Sequence, residues 1–280
     1  MKLQQFTIRV PEQKTGEATL TLYQLDNLGV APEKKRPLVI VCGGGGYWNI
    51  SDREKEPIVM QFLTMGCSAC LLEYSVAPNV FPTSLRELAS SVALARKNAE
   101  AWGIDPEKII TCGFSAGGHL AASLGVFWDK SFVCEALNLT PEDIKPNGQI
   151  LAYPVITSGE KAHPGSINKL LAEKAQDKTM REQISLEKQV TPNTPKTFLW
   201  HTVPDDTVPV ENSLLFAQAL ISAGVSCELH LYPVGGHGLS LCKEETAGTQ
   251  DYTLEPYCAS WIDLAKAWME LNYQCLSMRL

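Results

Sequence analysis

The chain has 280 residues, 45% of them apolar and 20% charged, which is ample for a full core and typical of a folded globular protein. A formal charge of −7 argues against a surface that follows nucleic-acid phosphates, so we expect no nucleic-acid partner. No stretch reaches the roughly 20 apolar residues of a transmembrane helix, and nine scattered cysteines are typical of a reducing compartment, so we expect a cytoplasmic protein without a membrane partner.

The predicted elements begin with two strands and then alternate between strands and helices. Residues 2–11 and 18–26 alternate polar and apolar side chains and predict an antiparallel hairpin at a sheet edge; the first of them is a strand and not a signal peptide. The later predicted strands are short apolar runs at 37–42, 67–76, 108–112, 149–156, 197–202 and 226–232. The predicted helices between and after them include 83–102, 119–124, 211–223 and 256–276.

A further helix is predicted ahead of the second parallel strand. The sequence Ser51-Asp52-Arg53-Glu54 has the pattern of a capping box, in which a serine and a glutamate three residues later satisfy the first backbone N–H groups of a helix. Gly66 is a typical residue just past a helix end. We therefore expect a helix to begin at this pattern and to end at Gly66.

Two polar segments interrupt the alternation. Residues 129–147 contain one short helix, with Thr140 as its N-cap and Pro141 as its first residue, and residues 157–194 form a second insertion. We expect both segments to form a small cap over the site. The repeated alternation predicts one domain over residues 1–280, built on a mostly parallel sheet of about eight strands with helices on both faces.

The most informative motif is Gly113-Phe114-Ser115-Ala116-Gly117, between an apolar strand and a helix-prone run. In a G-x-S-x-G turn the glycines allow the backbone to pack closely while the serine is held in a strained conformation, with its hydroxyl exposed at the top of the sheet. Ser115 is therefore the candidate nucleophile. A serine hydroxyl needs a base within hydrogen-bond reach and an acid that orients that base.

One histidine satisfies the position that such a base requires. In parallel-sheet proteins with a G-x-S-x-G turn, the three residues follow one another along the chain as serine, acid and histidine. The acid and the histidine each lie in a loop after a strand. The five histidines are His119, His163, His201, His230 and His237. The order and position tests exclude the first three, and His230 lies inside the last strand, where a packed histidine is expected. His237 lies in a glycine-flanked loop just past that strand and is the predicted base.

The acid is expected in the loop after the strand 197–202, and the residues offer two candidates there. Asp205 and Asp206 are adjacent in this loop, and either carboxylate could orient His237 while the other holds the loop.

The oxyanion of a tetrahedral intermediate needs donors, and two sources fit. One is the backbone N–H of Ala116 at the positive start of a helix. The other is the run Gly43–Gly46 after an early parallel strand, in which Gly45 and Gly46 are the predicted donors. A phosphate-binding loop is the alternative interpretation of four glycines, but neither G-x-G-x-x-G nor a lysine-containing Walker pattern follows.

With these residues the sequence resembles the α/β-hydrolase superfamily. Within it, the chain is similar to the small carbohydrate-esterase group, which includes acetyl xylan and feruloyl esterases and is related to hormone-sensitive-lipase-like enzymes. The resemblance covers residue 36 to the carboxyl terminus and rests on the serine motif, the glycine run and the segments Tyr153-Pro154-Val155, 198–202, 208–213 and 232–239. In related sequences the acid lies four residues after the histidine near the end of the strand 197–202 and four residues before the proline that follows in the same loop. This spacing selects Asp205.

The resemblance implies a serine hydrolase of short-chain carboxylic esters, with acetyl groups on sugars as the expected substrates. Ser115 attacks, His237 accepts its proton and Asp205 orients the imidazole; activity is expected to rise as His237 loses its proton, near pH 6.5. No cofactor or metal is expected, and the expected partner is a small-molecule ester such as an acetylated sugar. Aromatic residues near the predicted strand and helix ends could line the substrate pocket: Tyr47, Trp48 and Trp128.

Two alternatives remain open on the sequence alone. A peptidase or thioesterase could use the same three residues, because fold and triad do not fix the leaving group. A non-catalytic binding protein could retain the fold, although no member of the triad is missing. The oligomeric state is left open, a homodimer included.

Overall fold

The computed structural model describes residues 1–247 and 253–275, and within them eight strands form one sheet. The strands are β1 (Lys2–Ile8), β2 (Ala18–Gln24), β3 (Arg36–Cys42), β4 (Ser68–Glu73), β5 (Ile104–Phe114), β6 (Gly148–Ala152), β7 (Thr197–Thr202) and β8 (Cys227–Tyr232). The α-helices are α1 (Glu56–Thr64), α2 (Thr83–Lys97), α3 (Ala116–Phe127), α4 (Ser131–Cys134), α5 (Pro141–Ile144), α6 (Pro164–Leu171), α7 (Lys178–Ile184), α8 (Glu211–Ser222) and α9 (Trp261–Tyr273).

The strands lie in the order β1-β2-β4-β3-β5-β6-β7-β8. β1 pairs with β2, and β2 with β4, in antiparallel fashion, whereas every later pair is parallel. The predicted edge hairpin and the mostly parallel sheet of about eight strands are therefore confirmed. Parallel neighbours require crossover connections, which is why a helix follows most of the inner strands.

The core consists of two apolar layers, one on each face of the sheet. Successive side chains of a strand point to opposite faces of the sheet, so one strand contributes to both layers. In β3, Leu38 and Ile40 pack in one layer, and Val39 and Val41 pack in the other. Helices α2, α3 and α8 cover the first face, and α1 and α9 cover the second. This two-sided burial explains the continuous apolar runs of the inner strands, and it makes their carboxyl ends a rigid edge.

The predicted elements differ from the observed ones mainly at their ends. Ser51 makes no side-chain cap hydrogen bond; a short 3₁₀ turn over Asp52–Glu54 precedes α1, so the capping-box prediction is wrong. Thr140, by contrast, caps α5 as predicted. The last helix begins at Trp261 instead of residue 256, and its predicted end at Leu276 lies outside the described residues.

The structure separates the two segments that we expected to form a cap. Residues 129–147 connect the end of α3 to the start of β6, and both of those points lie at the amino edge of the sheet. Arg96 of α2 holds this segment by hydrogen bonds to the carbonyl oxygens of Asp143, at 2.6 Å, and Lys145, at 2.7 Å. Residues 157–194 instead begin beyond the carboxyl end of β6. Only this second segment is positioned to cover the carboxyl edge, so the cap role of residues 129–147 is not supported.

Among the helices that the structure describes, none has both the length and the apolar character that crossing a bilayer requires.

Candidate active site

Ser115 lies in the turn between β5 and α3, with φ 51° and ψ −116°, a conformation that is strained for a residue with a side chain. Two glycines allow the backbone to pack tightly enough to hold it. A Cβ atom on Gly117 would lie 2.2 Å from the carbonyl oxygen of Cys42, and a Cβ atom on Gly113 would lie 2.1 Å from that of Gly117. β5 lies between β3 and β6, so the turn stands at the carboxyl edge of the sheet, where open α/β sheets bind ligands.

The structure brings Ser115, His237 and Asp205 into one hydrogen-bonded line. Ser115 Oγ lies 2.8 Å from His237 Nε2, and His237 Nδ1 lies 2.6 Å from Asp205 Oδ2. An ionised carboxylate can only accept, so Nδ1 carries the proton and donates it toward Asp205. Nε2 is left as an acceptor for the serine hydroxyl, which is the arrangement that a general base requires.

Asp205 is buried and fully engaged. Oδ1 accepts the backbone N–H groups of Thr207 at 3.0 Å and Val208 at 2.9 Å, and Oδ2 lies 3.2 Å from Nε2 of the buried His201 as well as close to His237. Burial favours the protonated acid, but the hydrogen bonds from His201 and His237 outweigh it and hold the pKa of Asp205 below its ordinary range. Asp205 therefore carries a negative charge at neutral pH.

Asp206, the alternative acid, is exposed, and its Oδ1 receives a contact of 3.4 Å from Thr207 Oγ1. The geometry therefore favours Asp205.

Two of the remaining histidines have structural partners away from the serine. His119 is fully buried, with Nδ1 2.9 Å from the Tyr47 hydroxyl and Nε2 3.0 Å from the carbonyl oxygen of Ile184, and burial lowers its pKa to about 4. His230 is half-exposed and lies 2.8 Å from Glu228. The expectation that His230 is packed inside a strand is only partly right, because β8 is an edge strand of the sheet.

His163 lies closer to the site than its place in the chain indicates. It precedes α6, where its Nδ1 accepts the backbone N–H of Ser166 at 3.3 Å and lies 2.8 Å from Ser166 Oγ. Burial, followed by the charge of His237, lowers the pKa of His163. A Cβ atom on Gly46 would lie 3.8 Å from Ser166 Oγ. The start of α6 therefore borders the glycine run, and His163 lies close enough to His237 for their charges to interact.

The glycine run approaches Ser115 closely, but its N–H groups have different roles. The N–H of Gly44 donates to Glu54 Oε2 at 2.6 Å and is thus occupied. Gly45 has φ 137°, and a Cβ atom there would lie 2.1 Å from the carbonyl oxygen of Asn49, so only glycine fits. In the described part of the chain, no backbone hydrogen bond uses the N–H of Gly45 or Gly46. These two groups are therefore available to a ligand.

Glu54 is the residue of this site that sequence reasoning missed. Its side chain is buried, its Oε2 accepts the Gly44 N–H, and its Oε1 accepts the Tyr153 hydroxyl at 2.6 Å. The Tyr153 oxygen in turn accepts the backbone N–H of Ser240 at 2.9 Å, in the loop that carries His237. One carboxylate thus links the glycine run to the base loop through a single phenol.

The three predicted pocket aromatics have different positions. Trp128 is buried at the far end of α3, about 20 Å along the helix from Ser115, and donates to the carbonyl oxygen of Asn193; it does not border the site, and this prediction is corrected. Tyr47 lies beneath the glycine run, with its hydroxyl engaged by His119. Trp48 is 64% exposed and lies under the Lys169 ammonium of α6, 4.0 Å from the ring centroid. Of the three, only Trp48 is exposed.

A cavity of about 470 Å³ opens against the base. Its lining consists of Arg53, Asp206, Thr207, Gly236, His237 and Gly238. Within residues 1–247 and 253–275, no group of three or more His, Cys, Asp or Glu side chains is arranged as a metal site.

Comparisons with known proteins show which family and which folds the chain is similar to. A profile of the BD-FAE family matches residues 28–220. The chain is 38% identical over 219 residues to endo-1,4-beta-xylanase B of Butyrivibrio fibrisolvens, which covers 75% of this chain and 34% of that protein. It is 29% identical over 205 residues to the acetylxylan esterase of Xylanibacter ruminicola, which covers 71% of this chain and 40% of that protein. The chain thus spans little more than a third of the length of these relatives.

Among solved structures, an acetyl ester-xyloside bifunctional hydrolase from Caldicellulosiruptor lactoaceticus is 36% identical and superposes with a TM-score of 0.81. The match covers 94% of this chain and 92% of that one, so nearly the whole chain shares its fold.

Proposed function

The chain belongs to the BD-FAE family, and from this premise we propose that it is a serine hydrolase that cleaves short-chain carboxylic esters, with acetyl esters of carbohydrates as its substrates. The observation that carries the proposal is the hydrogen-bonded line Ser115–His237–Asp205, at 2.8 and 2.6 Å, beside free backbone donors. Names of similar proteins support the substrate class: an acetylxylan esterase and an acetyl ester-xyloside hydrolase are among them.

The chemistry proceeds in two half-reactions. His237 Nε2 takes the proton of Ser115 as Oγ bonds to the ester carbonyl carbon, and Asp205 stabilises the imidazolium that forms. The tetrahedral intermediate collapses, the bond to the alcohol oxygen breaks, and His237 returns the proton to that oxygen. Water then attacks the acyl-enzyme by the same proton transfers, which releases the acid and restores the serine.

The oxyanion binds to N–H groups at two elements. The N–H of Ala116 opens α3, and those of Gly45 and Gly46 lie on the neighbouring loop. Donors fixed before the reaction stabilise the developing charge without reorganisation, at about 2.7 to 4 kcal/mol for each donor. No step requires a cofactor.

We also place the enzyme in the cytoplasm. All nine cysteines are free thiols; eight of them are buried and Cys227 is half-buried. Free thiols are typical of a reducing compartment.

The test is hydrolysis of p-nitrophenyl esters from acetyl to octanoyl by the wild type and by Ser115→Ala. We expect turnover to be highest for acetyl and propionyl and to fall by at least about 10³-fold in the variant, because the nucleophile is gone. Ser90→Ala, on the outer side of α2, is the matched control and retains activity.

Amide and thioester substrates of the same acyl groups distinguish the alternative enzymes. Full activity in Ser115→Ala, or a wild type that cleaves only amides or thioesters, contradicts the proposal.

A further inference from the structure

Arg53 borders the cavity beside His237 with most of its guanidinium unused. Its Nε donates to the carbonyl oxygen of Thr246, which fixes the direction of the side chain, and its own carbonyl oxygen accepts the Ser240 hydroxyl at 2.5 Å. Nη2 is buried and has no hydrogen-bond partner, and Nη1 has none among the described residues either. Nη2 is enclosed by the protein, so Nη1 is the donor that this side chain offers to a molecule in the cavity.

Asp206 lines the same cavity and offers a hydrogen-bond acceptor, whereas Arg53 offers donors. Asp206 is exposed, and its carboxylate forms no ion pair with any residue in the described part of the chain, Arg53 included. The cavity thus presents a set of strong donors and a strong acceptor that do not neutralise each other. Its volume of about 470 Å³ lies within the roughly 300–1,000 Å³ of small-molecule sites.

The position of His237 identifies which part of an ester occupies this space. In the proposed reaction His237 protonates the departing alcohol oxygen, so that oxygen must lie within hydrogen-bond distance of Nε2. The cavity is bounded by His237, Gly236 and Gly238. The alcohol portion of the ester therefore extends into it, while the acyl group lies on the side of the glycine run.

We propose that this cavity binds a neutral polyhydroxyl alcohol, a sugar ring with free hydroxyl groups, held between Arg53 and Asp206. This inference rests on the proposed function. Arg53 donates hydrogen bonds to hydroxyl oxygens, and Asp206 accepts hydrogen bonds from hydroxyl groups. An apolar alcohol leaves both charges unpaired, and an anionic sugar meets Asp206, so a neutral polyol fits both residues best. Arg53 and Asp206 are thus specificity-determining residues.

The experiment compares kcat/KM for a monoacetylated methyl xyloside with kcat/KM for p-nitrophenyl acetate in the wild type, Arg53→Met and Asp206→Asn. The aryl ester offers no hydroxyl groups to either residue. We expect the ratio of the two constants to fall about ten- to a hundredfold in each variant, the loss expected for a hydrogen bond to a charged group. Arg9→Met and Asp26→Asn change the same charges on exposed surfaces and keep the wild-type ratio.

Three outcomes decide the inference. A ratio that falls only in the cavity variants supports it. A ratio equal to that of the wild type, with both constants reduced together, overturns it while leaving the esterase proposal intact, provided that Ser115→Ala is inactive. A wild type that prefers the acetyl ester of a methyl glucuronoside to that of the neutral sugar overturns the choice of a neutral ligand. Because Asp206 is exposed, Asp206→Asn tests the site even where Arg53→Met disturbs the fold.

Discussion

The two sides of Ser115 each depend on a buried carboxylate, but they use it in different ways. On the base side, Asp205 points an oxygen at a side chain, His237, at 2.6 Å. On the oxyanion side, Glu54 points an oxygen at the backbone N–H of Gly44, also at 2.6 Å. In the proposed reaction, one carboxylate acts on a group that exchanges protons, and the other holds a loop whose neighbouring N–H groups bind the oxyanion.

This difference separates two ways in which the site can fail. A substitution on the base side changes which nitrogen of His237 carries the proton. The imidazole can then no longer accept the proton of Ser115, so activity falls and its pH profile changes. Damage on the oxyanion side moves backbone donors, so it lowers kcat at every pH. Glu87, a third buried carboxylate, accepts hydrogen bonds from Gln13 and the Ser75 N–H and contacts no member of the proposed triad through them, so it provides the comparison.

The largest effect is expected from Asp205→Asn. An amide can donate to His237 Nδ1, which favours the tautomer with the proton on Nε2, so the base can no longer accept the Ser115 proton. We expect kcat to fall by about 10³ to 10⁴ near neutral pH and to recover partly at alkaline pH. The measurement is a pH profile of p-nitrophenyl acetate hydrolysis.

Asp26→Asn, at an exposed carboxylate, is the matched control for Asp205→Asn and leaves the profile unchanged. A loss of less than tenfold at all pH values contradicts the role of Asp205.

A smaller effect is expected from Glu54→Gln. The amide keeps one acceptor oxygen but turns its NH₂ group toward a second donor, either the Gly44 N–H or the Tyr153 hydroxyl. We expect kcat to fall about ten- to a hundredfold with the pH profile unmoved, which reflects the loss of one hydrogen bond to a charged group.

Tyr153→Phe tests the same link from its other partner. The losses of the two variants should not add in the double variant, because both break one network. A shift in the pH profile of Glu54→Gln would place Glu54 on the base side and remove the distinction between the two sides.

The smallest effect on activity is expected from Glu87→Gln, together with a gain in stability. Burial raises the pKa of Glu87 to about 7, although Ser75 N–H donates to it at 2.7 Å. The folded protein therefore binds more protons at this carboxyl than the unfolded chain, and the free energy of unfolding falls as pH rises from about 4.5 to 7. Removing the charge should add about 2 kcal/mol at pH 8 and little at pH 4.5, because the Gln13 amide that donates to Glu87 Oε1 can turn and accept from the new amide, while the Ser75 N–H keeps its acceptor.

Urea unfolding of the wild type and Glu87→Gln at both pH values measures this gain, with the exposed Glu100→Gln as control. Equal stabilities at pH 8 would show that Glu87 is ionised in the folded protein without cost.

Much of the fold could be predicted from the sequence because continuous apolar runs mark the strands that are buried on both faces of the sheet. The α/β-hydrolase fold and the similarity to carbohydrate esterases are confirmed, and β7 has the predicted bounds. Ser115 and His237 were accessible because local signals mark them: a glycine-flanked turn after a buried strand, and a glycine-flanked loop after the last one. Asp205 was separated from Asp206 only by the resemblance.

Other features depend on tertiary structure that no local pattern carries. Ser51 and Glu54 have the spacing of a capping box, yet the glutamate turns inward, because Gly44 and Tyr153 offer it two donors from distant parts of the chain. Segments 129–147 and 157–194 have similar polar compositions, and only the direction of the preceding element decides which edge of the sheet each reaches. Topology, more than composition, determines which of the two segments reaches the carboxyl edge.

Arg53 and Glu54 are consecutive residues of one 3₁₀ turn, and this adjacency bears on how the protein can be altered. Arg53 lines the cavity proposed to bind the alcohol, while Glu54 holds the glycine run. A library that randomises position 53 and holds position 54 constant should yield new alcohol preferences in enzymes that remain competent. Insertions or deletions within this turn should disturb the alcohol preference and the position of the glycine run together. The range of substrates can therefore change here by substitution but not by a change in loop length.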